Sequence, residues 1–147
     1  MTDCRTCSLT ASLASQPLRE RIAVDAHWRV AHVTTTSLPG WLVLLPLRHV
    51  TAVADLTPGE AAALGTWQVR VSRALHEVTG CVKTYVVQFA EAPGFGHVHF
   101  HIVPRGSDIS GEEIGPRIFS RLGVAESSRV STAVMDSIAE ELATVLA

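Results

Sequence analysis

"GFGHVHFHIVPR" (residues 94–105) places histidines at 97, 99 and 101, alternating with Val98, Phe100 and Ile102. The chain has seven histidines, so their crowding into this run calls for a reason. Side chains alternate across a β-strand. The run therefore reads as a strand over 97–103, stopped by Pro104, with the imidazoles on one face and Val98, Phe100 and Ile102 on a core face. Alternate Cα atoms lie roughly 6.6 Å apart, so neighbouring rings can act on one ligand or each face a different group. Three accounts compete. The rings are structural and bonded to backbone, although each buried neutral imidazole then needs partners. Or they converge on a metal ion, as His-x-His can. Or one of them is a nucleophile toward phosphorus.

The flanking segments set the fold class. "TYVVQFA" (84–90) reads as a strand and "APGFG" (92–96) as a turn. The link to 97 is too short for a helical crossover, so the two strands pair antiparallel. Upstream, "RIAVDA" and "WRVAHV" are short β-rich runs, and "WLVLLP" (41–46) is a buried strand. Thr57 is a predicted N-cap, with Pro58 at the first helical position and Glu60 closing a capping box. Leu64, Trp67, Val71, Leu75 and Val78 then form one apolar helical stripe, ended by Gly80. Ser110 and Glu113 form a second candidate capping box, and Val130, Val134, Ile138 and Leu142 a last amphipathic helix. The pattern predicts an α+β domain, a mostly antiparallel sheet with a long helix packed on it and C-terminal helices.

A length of 147 residues fits one domain with a real core. A net charge of −2 argues against nucleic-acid or membrane-surface partners, which call for a basic excess. No apolar run approaches the roughly 20 residues of a membrane span. "MTDCRTCSLT" (1–10) shows no charged stretch leading into an apolar core, so no signal peptide is expected and a cytoplasmic location is the default. Cys4 and Cys7 form a C-x-x-C, which in a reducing compartment reads as metal binding or redox. A thioredoxin-type site needs a preceding strand, and three residues cannot supply one. Two incidental free thiols are the other reading. Cys81 reads as a buried thiol.

"HVHFHIV" (97–103) resembles the His-φ-His-φ-His-φ-φ motif, φ being apolar, of the histidine triad family of nucleotide hydrolases and transferases. "PGWLVLLPLRHVTAVADLTPGE" (39–60), "IVPR" (102–105) and "HW" (27–28) are similar to other family segments. The resemblance covers about residues 1–106, leaving 107–147 as a variable C-terminal helical extension of the same domain. It implies a five-stranded sheet and a homodimer that pairs through the long helix and an edge strand. "TYVVQFA", apolar on both faces, suits a strand near a buried subunit boundary.

In this family the middle histidine attacks the α-phosphorus of a nucleotide. The resemblance gives that role to His99 and contact with phosphoryl oxygens or the leaving group to His101. Gly94 and Gly96 would let backbone N–H groups approach phosphate. Phe95 would line a pocket, Gln88 would take the place of a polar residue in the preceding strand, and His27 would border the base. Many members carry Gly-Gln-Ser/Thr-Val before the triad, whereas "PGFGHVH" here offers no Gln, Ser or Thr. A zinc-bearing branch holds its ion through C-x-x-C, a histidine after Pro-x-x and the first triad histidine. The matching positions are Cys4, Cys7, His49 and His97, a closed and hence structural Zn2+ site. Trp28, Trp41 and Trp67 read mainly as core, and His32 and His76 as structural or solvent-facing. Glu91 reads as an exposed turn carboxylate, and Arg105 as a phosphate neighbour or a solvated strand end.

The resemblance thus implies an enzyme that cleaves a nucleoside phosphoanhydride or phosphoramidate through a nucleotidyl-His99 intermediate. The alternatives are a metal-dependent hydrolase whose ion is shared by His97, His99 and His101, and a non-catalytic nucleotide-binding zinc protein.

Overall fold

Thr57 opens the long helix as its sequence predicts. In a computed structural model describing residues 3–147, its side chain accepts from the Glu60 N–H and the Glu60 carboxylate accepts from the Thr57 N–H. Helix α1 spans Arg5–Ala11, α2 Pro58–Thr79 and α3 Thr132–Leu146. Gly80 ends α2 in the left-handed region at φ 68°, where a Cβ would be strained.

Strands β1 (Ala23–Val24), β2 (Trp28–His32), β3 (Leu42–Pro46), β4 (Lys83–Gln88) and β5 (Phe100–Arg105) form a five-stranded sheet in the order β1-β2-β3-β5-β4. Every neighbouring pair is antiparallel. This is the expected α+β architecture. Trp28, Val30, Leu44, Phe100 and Ile102 point from one face into a core shared with Trp67, Val71 and Leu75 of α2 and Leu142 of α3. Ala31, Val43 and His101 share the opposite face, because the register pairs Ala31 with Val43 and Val43 with His101.

Segment 106–124 crosses that second face. Ile109 and Ile118 pack on Trp41 and Val103. The Gly115 N–H donates to the Tyr85 hydroxyl, and Thr36 donates its hydroxyl to the Arg121 carbonyl. The sheet is therefore covered on one side by α2 and α3, and on the other this segment covers the part around Trp41 and Val103.

Four readings of the sequence need correction. The triad strand starts at Phe100 rather than His97. Just before it, the Val98 N–H turns away to the Val50 carbonyl at 2.7 Å. Pro104 lies within β5 and does not stop it. The Arg105 carbonyl accepts from Val82 on the β4 side, so even-numbered residues of β5 face β3. β3 begins only at Leu42, opposite Ile102, and the N–H that Pro104 lacks has no ladder partner to lose. Ser110 and Glu113 cap no helix. Glu113 instead receives a bidentate pair from Arg121 at 2.6 and 3.1 Å. In α3, Met135, Ala139, Leu142 and Leu146 face inward. Val134 is 43 % exposed, and Val130 precedes the helix, whose N-cap is Ser131.

Candidate active site and adjoining metal-ligating cluster

His99 occupies the extended approach to β5 and is half-buried. Its Nδ1 lies 2.8 Å from the His97 carbonyl oxygen. A carbonyl only accepts, so Nδ1 carries the proton and donates it. In the neutral ring the lone pair is then on Nε2. His101 is arranged in the opposite sense. The Trp41 indole N–H donates to its Nδ1 at 3.0 Å, which leaves the proton on Nε2. The two rings meet edge to face with centroids 4.8 Å apart. A ring with its lone pair on Nε2 and a ring with its proton on Nε2 are thereby neighbours. Burial, then the neighbouring His99, pushes the His101 pKa down to about 4, so its ring is neutral near pH 7.

Both rings border a cavity of about 450 Å³. Ala31, Val43 and Leu45 of the sheet line it, together with Phe89, Ala90, Phe95, Phe119 and Leu122, and Phe89 meets Phe119 edge to face at 5.5 Å. Phe119 meets His101 at 5.2 Å and Trp41 at 5.1 Å, edge to face in each case. Ala90 sits at φ 53°, the left-handed region, where a non-glycine residue is strained.

The residues expected to bind substrate divide. Phe95 lines the cavity and is 52 % exposed at its mouth. Gln88 pairs with Phe100 and so shares the core face, away from His101. His27 lies against Gly59 at the start of α2, outside the cavity wall. Gly94 and Gly96 belong to the turn leading to His97 and do not line the cavity. His32 is buried, donating to the Val33 carbonyl through Nδ1 and accepting from the Gly40 N–H through Nε2.

Three contributors were missed by sequence reasoning. Trp41 read as core, and its hydrogen bond spans 60 positions that no local pattern connects. Phe119 lies in the segment past 106 that resembled nothing. Arg29 stands in an otherwise apolar run, a signal that was available. It is 1 % exposed, donates to the Glu20 carbonyl at 2.8 Å and faces the cavity.

Next to the cavity, Cys4, Cys7, His49 and His97 bring one ligand atom each to within 4.8 Å of one another. The His97 Nδ1 is 3.6 Å from both sulfurs, and the His49 Nδ1 is 3.3 Å from Cys7. Bonds of about 2.3 Å to sulfur and about 2.0–2.1 Å to nitrogen separate S and N by about 3.6 Å at a tetrahedral angle. The set therefore fits a four-coordinate ion. The second ring nitrogen of His97 donates to the Pro46 carbonyl at 2.9 Å, which frees Nδ1 as a ligand and fixes the ring. Burial, then Cys4, raises the Cys7 pKa. A bound cation would reverse that, since it takes the thiolate.

Comparisons with known proteins bear on the fold. No family model matches the chain, and no curated protein matches it. Solved structures do. A Hit-like protein involved in cell-cycle regulation from Bartonella henselae, solved with an unknown ligand, is 16 % identical with a TM-score of 0.72, over 97 % of this chain and 96 % of that one. A zinc-bound histidine triad family protein from Mycobacterium smegmatis is 19 % identical with a TM-score of 0.64, over the same shares. A hypothetical histidine triad nucleotide-binding protein from Sulfolobus tokodaii is 12 % identical with a TM-score of 0.71, over 97 % and 91 %. The chain has the histidine triad fold, as its motif led us to expect. Among the described residues, no helix is long and apolar enough to cross a membrane.

Proposed function

We propose that this protein is a nucleotide hydrolase of the histidine triad type, acting on a nucleoside phosphoanhydride or phosphoramidate. The hydrogen bond from His99 Nδ1 to the His97 carbonyl carries this reading, since it leaves Nε2 as an unprotonated nucleophile. In the first step Nε2 attacks the α-phosphorus. A P–N bond to His99 forms and the bond to the leaving group breaks. The Nε2–H of the adjacent His101 ring donates to the phosphoryl or departing oxygen or nitrogen. In the second step water attacks phosphorus, the P–N bond breaks and the nucleoside monophosphate leaves. An acceptor other than water would make the same site a transferase.

The shared-metal alternative fares worse on hydrogen bonding. Nδ1 of His99 and Nδ1 of His101 are engaged, and Nε2 of His101 carries the proton. His97 is turned toward the cysteines. We assign zinc to Cys4, Cys7, His49 and His97, the chemistry of two thiolates and two imidazoles. There it ties the N-terminal segment to the triad. A cytoplasmic setting, which keeps both thiols reduced, belongs to the same reading.

The test is to trap the intermediate. Protein is mixed with adenosine and guanosine phosphoramidates, quenched in base and digested, and the peptide covering 97–105 is weighed. A nucleotidyl adduct on wild type and none on His99→Ala is the expected result. An active His99→Ala enzyme would remove His99 as nucleophile.

A further inference from the structure

The phosphoryl group in this reaction is anionic, yet the approach to His97 offers it no polar side chain. Residues 92–96 are Ala, Pro, Gly, Phe and Gly. A positive charge to meet it is found elsewhere in the cavity wall. Among the described residues that wall has two arginines, Arg5 and Arg29, and no lysine. Arg29 is already committed. Its guanidinium donates to the Glu20 carbonyl at 2.8 Å and to the Thr10 hydroxyl at 3.3 Å, with the Glu20 carboxylate 3.6 Å away. Arg5 is exposed and makes no ion pair among the described residues.

Arg5 and Thr6 are the two residues between Cys4 and Cys7, and both border the cavity that holds His99. Any ion that clamps the two cysteines to His97 therefore fixes the backbone on either side of Arg5. The Arg29–Thr10 hydrogen bond holds the same helix to β2 from its other end. The same wall carries two carboxylates, the exposed Glu91 and Glu20, and the Glu20 carboxylate lies 3.6 Å from Arg29. Among the described residues, Arg5 is thus the cation of the cavity wall that no carboxylate pairs.

We propose that Arg5 is a phosphate-binding residue of this site, presented to the nucleotide by the C-x-x-C turn. Binding of the phosphoryl group and occupancy of the metal cluster are then linked through one residue. The assignment rests on the nucleotide reading above and adds to it the source of the positive charge.

Calorimetry on metal-loaded protein separates the two. The probes are adenosine, guanosine and their 5′-monophosphates, titrated into wild type, Arg5→Gln and Arg5→Lys, with bound metal and melting temperature measured in parallel. Arg5→Gln should weaken monophosphate binding about tenfold or more, the size of a lost charge-assisted contact, and leave nucleoside binding unchanged. Arg5→Lys should recover part of the loss. The difference between variants should shrink as salt is raised. Equal monophosphate binding by wild type and Arg5→Gln would overturn the assignment alone. An equal loss for nucleoside and monophosphate would overturn it too, since Arg5 would then contact the base or ribose. A wild type that binds none of the four probes would overturn the nucleotide reading, and the Arg5 assignment with it.

Discussion

The indole N–H of Trp41 donates to Nδ1 of His101 across 3.0 Å, with both side chains buried. Trp41 precedes β3 and His101 lies in β5, and the sheet brings them together on the face that carries the cavity. The bond selects one of two neutral tautomers. Without it, His101 is free to present a lone pair toward the substrate, which repels phosphoryl oxygens instead of donating to them.

Trp41→Phe keeps most of the aromatic contact with Phe119 and removes only the donor. We expect kcat on a cleavable nucleoside phosphoramidate to fall by about tenfold or more, with KM little changed. The removed donor also opposed protonation of Nδ1, so the acid limb of the rate profile should move toward higher pH. A variant with wild-type kcat and the same acid limb would show that Trp41 only fills space.

Much of this site was legible before folding was considered. The alternation of His97, His99 and His101 with Val98, Phe100 and Ile102 separated the core residues from the imidazoles, of which His99 and His101 border the cavity and His97 faces the cysteines. It did so even though only 100–105 enters the ladder. The capping box at Thr57 and the stop at Gly80 are local chemistry, and they came out as read. What failed was non-local. Pro104 is tolerated because β3 begins at Leu42, a fact about a strand some 60 positions away. Ser110 and Glu113 have capping spacing, but Glu113 is claimed by Arg121. Gln88 suits a polar contact by type and misses the cavity by one position of strand parity.

Acid should destabilise the fold in two stages. His101 has an ordinary pKa of 6.5 and a folded value of about 4. Between these values the unfolded chain binds a proton that the folded chain refuses, so stability falls as pH drops from 6.5 to 4. The size is about 3 kcal/mol at most for this one ring. Burial first lowers His32 in the same direction. Glu60 follows. Hydrogen bonds from Arg48 lead in holding it at about 2 against an ordinary 4.5, and its contribution is lost as pH falls through that interval. Proton NMR should show one imidazole titrating near pH 4, absent in His101→Gln. Titration of every ring near 6.5 would contradict the buried, neutral His101.

The family resemblance implies a homodimer, and the fold leaves an edge for one. β4 ends the sheet, and among the described residues no strand pairs with its outer side. It is not buried on both faces in the single chain. Val86 is 42 % exposed and Phe89 beyond it 59 %. We predict a dimer mass in light scattering at micromolar concentration. Val86→Lys should convert it to monomer, because a charge on an edge strand opposes strand addition. As an exposed position, it should cost the monomer within about 0.5 kcal/mol. A monomer mass for wild type would count against the dimer.

Metal removal should loosen one segment rather than the whole chain. α1 is seven residues long and none of its residues is buried, so neither its length nor its packing suffices to hold it. Cys4, at its N-terminal boundary, is buried, and Cys7 lies one turn on. The His97 ring that both sulfurs approach is held by the Pro46 carbonyl. The core formed by α2, α3 and the sheet contains neither cysteine. Stripping the ion with a chelator should therefore lower the melting temperature and release amide protection over residues 3–11. Protection in α2 and β5 should stay close to that of the loaded protein. Cys4→Ser with Cys7→Ser should give the same exchange pattern without chelator and purify without zinc. Unchanged exchange in 3–11 after proven metal loss would mean that Arg29 and the helix's own contacts hold α1. A protein that purifies without zinc and still protects that segment would take the ion out of the fold altogether.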